Sequence, residues 1–142
     1  MFLSDKDIEI AVKSGEVTLN PFERKQLQPA SYDIRLGGKF VVEQAHAGTS
    51  VDPARGVFLP VTELSLKDDE TYVLQSGASV ICHSREHVGS HKFLIEVKSK
   101  SSLARIGLLV HNSSGIVNPG HFLNVELSLT NIHTVPIVLR PG

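Results

Sequence analysis

Short apolar runs with a period of two, separated by turn-forming residues, limit the fold of this chain more than any other feature. Tyr32, Ile34 and Leu36 alternate with polar neighbours, which is the pattern of a strand with one buried face. Further strand-like runs lie at residues 40–42, 72–74, 80–82, 93–97, 107–110, 125–130 and 136–139. Turn signals recur about every eight to twelve residues, a spacing typical of sandwiches and barrels. The pattern predicts an all-β protein, either a barrel or a sandwich.

One helix is predicted, close to the N-terminus. Ser4 and Asp7 form a variant of the capping box, in which the acidic side chain reaches back to the cap residue. Apolar residues follow at helical spacing, and Gly15 stands where a helix C-cap belongs. We therefore expect a short helix over residues 5–13.

The composition is that of an ordinary globular chain. Its 142 residues suit one domain with a real core, and because no repeat or linker is visible, residues 1–142 are treated as a single domain. Residues 44–56 carry glycine and proline without periodicity and are expected to be an exposed excursion. The net charge of −1 argues against a nucleic-acid polymer as partner.

No targeting or membrane segment is recognised in this sequence. No apolar run approaches the roughly 18 residues of a membrane span, and the N-terminus lacks a signal-peptide core. Cys82 is the only cysteine, which excludes an internal disulfide. We expect no membrane partner and a cytoplasmic location.

The richest polar segment lies at residues 97–118. It begins with the polar run K-S-K-S-S at residues 98–102, and Lys100 and Arg105 place cations around serine hydroxyls. Hydroxyls, backbone N–H groups and cations together make an anion cradle for a phosphate. On composition alone, a solvated turn is the more frequent meaning of such a run.

Several motifs resemble one protein superfamily. S-S-L-A-R-I-G-L-L-V-H followed by G-I-V-N-P-G is similar to the core signature of dCTP deaminases and trimeric dUTPases. S-D-K-D-I near the N-terminus, Q-P-A-S-Y-D-I-R-L-G-G-K-F at 28–40 and V-P-I-V-L-R-P-G at 135–142 resemble the dCTP deaminase branch. The resemblance is nearly collinear from residue 2 to residue 142. It implies a distorted, dUTPase-like jelly-roll β-barrel assembled as a homotrimer, with active sites between subunits.

The same resemblance implies a function. Members of the deaminase branch bind a deoxynucleoside triphosphate, usually with Mg²⁺, and convert dCTP to dUTP by hydrolytic deamination without zinc. Zinc-dependent cytidine deaminases need an H-x-E and P-C-x-x-C pair, and one cysteine cannot supply it. We therefore expect no zinc and no other protein-bound metal. Deaminases of this branch continue beyond the R-P-G end with a strand and a lid, which we expect residues 1–142 to lack.

Candidate site residues follow from the resemblance. Ser101 and Arg105 are expected to organise the attacking water, and they converge only if a turn or a single helical turn lies between them. Lys100, Ser101 and Ser102 are expected to take the phosphates. The backbone at residues 114–117 is expected to read the base and sugar, and Asn118 to bind the 3′-hydroxyl. The substrate-binding set is therefore Lys100, Ser102, Ser114, Gly115, Val117 and Asn118.

The catalytic carboxylate departs from the family pattern. Deaminases place it three residues before an asparagine, as in L-E-x-x-N, but here Ser128 stands three residues before Asn131. Glu126 lies two residues earlier, on the same strand face by alternation. A shorter turn at residues 121–122 and a bulge near Leu129 would bring Glu126 into place. Glu126 is the candidate acid/base; the alternative is an exposed or ion-paired strand residue.

Two other functions remain open. G-I-V-N at 115–118 is similar to the dUTPase motif G-V-I-D, but Asn118 cannot act as a base, and the glycine-rich dUTPase motif would lie beyond residue 142. A dUTP pyrophosphatase is thus one alternative. The other is a catalytically silent trimeric structural or interaction protein with the same fold.

Histidines and one acid complete the candidates. His83, His87 and His91 are spaced by four and would line one face of a helix as zinc ligands, but Gly89 favours a histidine-rich surface turn. His111 and His121 flank the expected pocket and either contact the nucleotide or are structural. Asp33 is expected to be a structural hydrogen-bonding partner.

Overall fold

The structure, a computed structural model, describes residues 2–45, 48, 50–110 and 115–142. Its helices and strands are, in chain order, α1 (Asp5–Lys13), β1 (Val17–Asn20), β2 (Leu27–Gln28), β3 (Ser31–Tyr32), β4 (Leu36–Glu43), β5 (Val61–Ser65), β6 (Tyr72–Leu74), β7 (Ser79–Ser90), β8 (Ile95–Glu96), α2 (Ser101–Arg105), β9 (Leu108–Leu109), β10 (Ile116–Val117), β11 (Asn124–Asn131) and β12 (Ile137–Leu139). Short 3₁₀ helices lie at Arg24–Gln26 and Pro53–Arg55. The predicted all-β class with a short N-terminal helix is confirmed.

One antiparallel sheet contains the long strands. Its order is β5-β4-β7-β11-β9, and β1 pairs with the far end of β7. Three short antiparallel pairs, β2 with β3, β6 with β12 and β8 with β10, accompany it. Closure into a jelly-roll barrel stays a prediction, as does the division into a single domain. Within the described ranges, no helix has the length and apolarity needed to cross a membrane.

The predicted capping box starts α1. The Ser4 hydroxyl accepts a hydrogen bond from the Asp7 backbone N–H at 3.3 Å, and the Asp7 carboxylate accepts one from the Ser4 N–H at 3.1 Å. The Ser4 hydroxyl also donates to the Asp7 carboxylate at 2.7 Å. This bond, and after it the bond from the Ser4 N–H, lowers the pKa of Asp7. The helix ends at Lys13, and Gly15 has a φ of 78°, which a glycine adopts without strain. The predicted helix is therefore confirmed with its boundaries.

The apolar core lies against one face of β7 and β11. Val125, Leu127 and Leu129 of β11 are buried beside Val80 and Cys82 of β7. The remaining buried apolar residues come from α1, β1, β4, β6, β9, β10, β12 and the far end of β7: Ala11, Val17, Leu19, Phe40, Leu74, Val88, Leu108, Val117 and Leu139. Alternate residues of β11 therefore point away from the core, and Glu126 is one of them.

A charged pair is buried in the middle of this sheet. Glu86 of β7 has 0% exposure, and its carboxylate accepts hydrogen bonds from the Arg35 backbone N–H at 2.8 Å and from Arg35 Nε at 2.7 Å. Gln26 Nε2 donates a third at 3.2 Å, and Arg35 Nη1 also binds Glu23 at 2.5 Å. The hydrogen bond to Glu86 is the main cause that raises the pKa of Arg35. The pair ties the segment before β4 to the centre of β7.

The histidine-rich surface turn predicted at residues 83–91 is wrong. His83 and His87 lie within β7, which continues to Ser90. The inward positions of this half of the strand include Ser84 and Glu86, which are polar yet buried, so the apolar alternation is interrupted. Residues four apart on a strand are about 13 Å apart, too far to ligate one metal ion together.

Four of the described strands were not predicted: β1, β2, β5 and β10. All of β5 is exposed at the sheet edge, so its apolar residues do not alternate with burial. β1 is only four residues long and pairs with β7 across a large sequence separation. The excursion at 44–56 does lie at the surface where it is described: most of its residues are exposed, and it contains the Pro53–Arg55 turn.

Candidate functional site

A cavity of about 270 Å³ lies between the segment around β10 and the first half of β11. It is lined by Val97, Ile116, Val117, Asn118, His121, Val125, Glu126 and Leu127. Two polar groups with distinct chemistry, the Asn118 amide and the Glu126 carboxylate, therefore share one cavity with an imidazole. Apolar side chains from three segments supply the rest of the wall.

Backbone hydrogen bonds place the Asn118 side of the cavity. Ile116 pairs with Glu96 and Val117 with Ile95, while the Val97 N–H donates to the Gly115 carbonyl at 2.7 Å. The chain then turns between Asn118 and His121, whose N–H donates to the Asn118 carbonyl at 3.3 Å. Of the predicted binding residues, Val117 and Asn118 thus line the cavity, whereas Gly115 lies just before this segment and bonds to Val97.

Gly89 allows this turn to lie against β7. A Cβ at residue 89 would stand 1.7 Å from the His121 carbonyl oxygen, a distance that no side chain tolerates. His121 Nε2 lies 3.2 Å from the Leu123 carbonyl, and Phe122 packs its ring 4.4 Å from that of His91. His121 was one of the predicted pocket-flanking histidines, and it lines the cavity; His111 lies outside the described residues.

A bulge sits immediately before Glu126. Asn124 pairs with His87 and Glu126 with His83, so two steps along β11 match four along β7. The Ser84 hydroxyl accepts the Val125 N–H at 2.8 Å, and the Asn124 side chain donates to the Ser84 carbonyl at 2.8 Å. These two bonds hold the extra residues of β7 in place.

The bulge predicted near Leu129 is therefore wrong in its position. From Glu126 to Thr130 the register with β7 is regular, with Ser128 opposite Ile81. Glu126 is exposed and lines the cavity, whereas Ser128 is partly covered and lies one step further along the same face. The Glu126 carboxylate reaches the cavity with the bulge on the N-terminal side of residue 126, between Asn124 and Glu126, and not on its C-terminal side near Leu129.

The predicted phosphate residues lie at the start of α2. The Lys100 carbonyl accepts hydrogen bonds from the Leu103 and Ala104 N–H groups, both at 3.0 Å, which forms the single helical turn expected between Ser101 and Arg105. Ser101, Ser102 and Arg105 are exposed.

Lys100 has an acidic partner. Its Nζ lies 2.6 Å from Asp33 Oδ2, and Gln28 Nε2 donates to the same oxygen at 3.1 Å. Asp33 is the structural hydrogen-bonding partner that was predicted, although the identity of the lysine was not. The pair connects the β2–β3 hairpin to the start of α2.

One chain does not bring all the predicted residues together. Val117, Asn118 and Glu126 line the cavity, whereas Lys100, Ser101, Ser102 and Arg105 do not. Ser114 lies outside the described residues. The described part of the chain thus offers two separate halves: a cavity with a carboxylate, and an exposed cationic helical turn with hydroxyls.

A family model settles the relationship of the chain. The model described as dCTP deaminase-like matches residues 2–142.

The chain belongs to the dCTP deaminase-like family.

Relatives of known name agree with this membership. The "dCTP deaminase, dUMP-forming" of Corynebacterium jeikeium (strain K411) is 37% identical over 143 residues, which cover 100% of this chain and 76% of that protein. The protein of the same name from Thermobifida fusca (strain YX) is 39% identical over 145 residues, covering 100% of this chain and 73% of that protein.

A solved structure shares the fold. The crystal structure of 2′-deoxycytidine 5′-triphosphate deaminase from Agrobacterium tumefaciens superposes with a TM-score of 0.71 at 24% identity. The match covers 99% of this chain and 43% of that one, so the common part is the fold of this chain and less than half of the other protein. At this identity the likeness establishes the fold alone.

Two positions of this dCTP deaminase-like chain distinguish its cavity. The cavity holds Asn118 where the related dUTPase motif has an acid, and Glu126 rather than residue 128 carries the carboxylate. An amide donates and accepts hydrogen bonds but takes no proton at neutral pH. Among the described residues that line the cavity, Glu126 is therefore the one carboxylate available for proton transfer.

Proposed function

We propose that this protein binds dCTP and deaminates it by hydrolysis, with dUMP as the end product. The observation that carries the proposal is the cavity in which Asn118 and Glu126 meet, in a chain of the dCTP deaminase-like family. A pyrimidine ring fits an apolar cavity of this volume with a few polar groups at its edge. Glu126 supplies the acid/base and Asn118 the contact to the sugar.

The proposed product differs from the one expected from the sequence. Relatives that match the whole chain carry "dUMP-forming" in their names, whereas the motifs alone suggested dUTP. Reaching dUMP takes two hydrolyses, one at the C4–amino bond and one at the bond between the α- and β-phosphates. The chemistry of the dUTP pyrophosphatase alternative is thus the second half of this reaction.

Deamination needs one group that both takes and gives a proton. Water adds to C4 as one of its protons passes to the Glu126 carboxylate, and the resulting acid protonates the amine, which leaves as ammonia when the C4–N bond breaks. The second water proton ends on N3 of the ring, so that the hydroxyl at C4 becomes the carbonyl of the uracil product. The one cysteine, Cys82, is buried in the core, so the cavity lacks the thiolate ligands of zinc-dependent deaminases. A carboxylate mechanism without zinc is therefore the one that these side chains support.

The phosphates are proposed to lie at α2. Lys100 supplies a cation and Ser101 and Ser102 supply exposed hydroxyls at the first helical turn. Oxygen donors of this kind also suit Mg²⁺ carried by the triphosphate, which would neutralise part of the phosphate charge. Lys100 is at present paired with Asp33, so phosphate binding exchanges or shares that contact.

We further propose that the complete site forms between the subunits of a homotrimer. Arg105, Ser101 and Ser102 are exposed and lie away from the cavity of their own chain, so a neighbouring subunit is the natural source of these groups. Exposed apolar side chains next to the cavity supply contact area; Ile116 is 57% and Leu123 66% exposed. Light scattering that gave a stable monomer would contradict the shared site.

Nucleotide binding can be tested without turnover. A ligand that binds only the folded protein raises the melting temperature, so dCTP with Mg²⁺ should do so at millimolar concentration. Lys100→Ala should reduce the increase, whereas Lys6→Ala, a matched change on the exposed face of α1, should leave it unchanged. Equal shifts for both variants would refute the proposed place of the phosphates.

Turnover tests the chemistry. Ammonia release from dCTP should fall by about a hundredfold to ten-thousandfold in Glu126→Gln, because a general acid/base is lost. Glu63→Gln, an exposed carboxylate on β5, is the matched control and should retain full activity. A wild-type protein whose turnover survives Glu126→Gln would show that another group is the acid.

A catalytically silent protein is the second candidate. It is favoured by Ser128 at the position of the family carboxylate and by Asn118 at the acid position of the dUTPase motif. On this alternative the trimer forms, dCTP and dUTP are not consumed, and Ser128→Glu is the substitution that confers activity. Deamination by the wild-type protein would exclude it.

A further inference from the structure

A buried ring nitrogen on β7 has no hydrogen-bond partner. His83 Nδ1 is shielded from solvent, and none of the described residues offers it a donor or an acceptor. A buried polar atom without a partner destabilises the folded state, so its presence calls for an explanation. Other polar side chains on this strand are satisfied: Ser84 and Ser90 both bond to backbone groups.

The residue opposite His83 is Glu126. The two are register partners on β7 and β11, and both point away from the core. Such cross-strand neighbours hold their Cβ atoms about 4.5–5.5 Å apart, within reach of a hydrogen bond between long side chains. Within the described part of the chain, no hydrogen bond or ion pair engages the Glu126 carboxylate.

Four other titratable groups of the described residues face this part of the sheet, and none of them is the cross-strand partner of Glu126. The titratable side chains that face this part of the sheet are Arg85 and His87 on β7, Lys39 on β4 and His121 in the turn before β11. Arg85 pairs with Asp68, and His87 stands opposite Asn124, beyond the bulge. His83 is therefore the imidazole in register with the carboxylate.

We propose that His83 is a positioning residue for Glu126. A change of rotamer lets a ring N–H donate to one carboxylate oxygen, which satisfies the unpartnered imidazole and turns the other oxygen toward the cavity. The bulge held by Ser84 and Asn124 sets the register that makes the two residues neighbours. This inference rests on the proposed function for its catalytic consequence, but the contact itself belongs to the folded chain.

Ring-nitrogen NMR of the full chain tests the contact independently of turnover. The ¹⁵N signals of the His83 imidazole, assigned by their loss in His83→Gln, should move when Glu126→Ala removes the acceptor. Glu63→Ala, which removes an exposed carboxylate from β5, should leave them unchanged. If the His83 signals have the same chemical shifts in Glu126→Ala as in the wild type, the proposal is overturned, whether or not the protein turns over dCTP.

Kinetics tests the consequence. A misplaced catalytic group costs up to about a hundredfold in rate, so His83→Ala should lower kcat for dCTP by about tenfold to a hundredfold and change KM by less than about threefold. His83→Gln keeps a side-chain N–H donor and should restore part of the rate. The control is His87→Ala, an exposed histidine on the same strand and face.

The outcomes separate this inference from the proposed function. An active wild-type protein in which His83→Ala and His87→Ala have equal kcat overturns the positioning role and leaves the proposed function standing. An inactive wild-type protein whose His83 signals respond to Glu126→Ala overturns the proposed function and supports the contact. Thermal melts of each variant check that it is folded.

Discussion

Replacing the buried carboxylate of Glu86 should destabilise this protein more than any change at its surface. In Glu86→Gln the side-chain volume is kept while the negative charge is removed. The carboxylate has 0% exposure and accepts three hydrogen bonds, two from Arg35 and one from Gln26. An amide must direct its NH₂ at one of these donors, which leaves that donor unpaired.

The magnitude follows from the surroundings of the pair. The Arg35 side chain is 18% exposed, so its charge is left in a largely dry site with Glu23 as the remaining acidic partner. Removing one member of a buried ion pair costs about 3–5 kcal/mol. For a chain of this length each kcal/mol lowers the melting temperature by roughly 3–4 °C, so a decrease of about 10–20 °C is expected.

Urea unfolding at a fixed protein concentration measures this loss. Glu86→Gln should move the midpoint without changing the slope, since the surface exposed on unfolding is the same. Glu63→Gln, the exposed control on β5, should stay within about 0.5 kcal/mol of the wild type. Adding Arg35→Met to Glu86→Gln should cost less than the sum of the two single changes, because the partners are coupled. A loss below about 1 kcal/mol for Glu86→Gln would refute the buried pair.

Three further predictions concern stability and reactivity. Gly89→Ala should destabilise the fold by about 3 kcal/mol or more, measured by urea unfolding, because its Cβ would collide with the His121 carbonyl. The hydrogen bond from Lys25 is the largest cause that lowers the pKa of Glu23 below its ordinary 4.5. The ionised Glu23 carboxylate therefore stabilises the fold fully above pH 4.5, and this stabilisation is lost as the pH falls through the lower pKa of the folded state. Glu23→Gln should accordingly show a shallower loss of melting temperature in acid than the wild type. Burial raises the pKa of Cys82 to about 12, so a thiol reagent at neutral pH should modify Cys82 only after unfolding, and rapid labelling of the folded protein would contradict its position in the core.

The sequence predicted those elements whose own residues carry the signal. α1 was recognisable because its cap, Ser4 with Asp7, is local. β11 was recognisable because apolar residues alternate along it and all of them face the core. The helical turn between Ser101 and Arg105 was likewise expected from the roles that the resemblance gives to both side chains.

The elements missed depend on distant partners. The second half of β7 carries Glu86 on its inward face, which a period-two pattern excludes unless the partner, Arg35, is known. The position of the bulge depends on Ser84 and Asn124, which are 40 residues apart and whose hydrogen bond no local pattern reveals. The sequence therefore suggested that Glu126 needs an irregular strand, but not where the irregularity lies.

The residues of the cavity could be predicted from the sequence only in part, because several of its contacts join residues that are far apart in the chain. Asn118 and Glu126 were both candidates, and the structure places them in one cavity. The link between Lys100 and Asp33 joins residues 67 positions apart, so neither a motif nor a period connects them. The cross-strand relation of His83 to Glu126 appears only once the register of β7 and β11 is known.

Separation of the nucleotides formed from dCTP tests the central claim most directly. The protein is incubated with dCTP and Mg²⁺, the nucleotides are separated by chromatography, and the ammonia released is measured. The wild type should release one ammonia for each dUMP formed. Glu126→Gln should form almost no dUMP or ammonia while still binding dCTP. Accumulation of dUTP would show that deamination stops before the phosphates are cleaved. Unchanged dCTP after prolonged incubation of the folded, trimeric wild-type protein would contradict the claim that this cavity is a deaminase site.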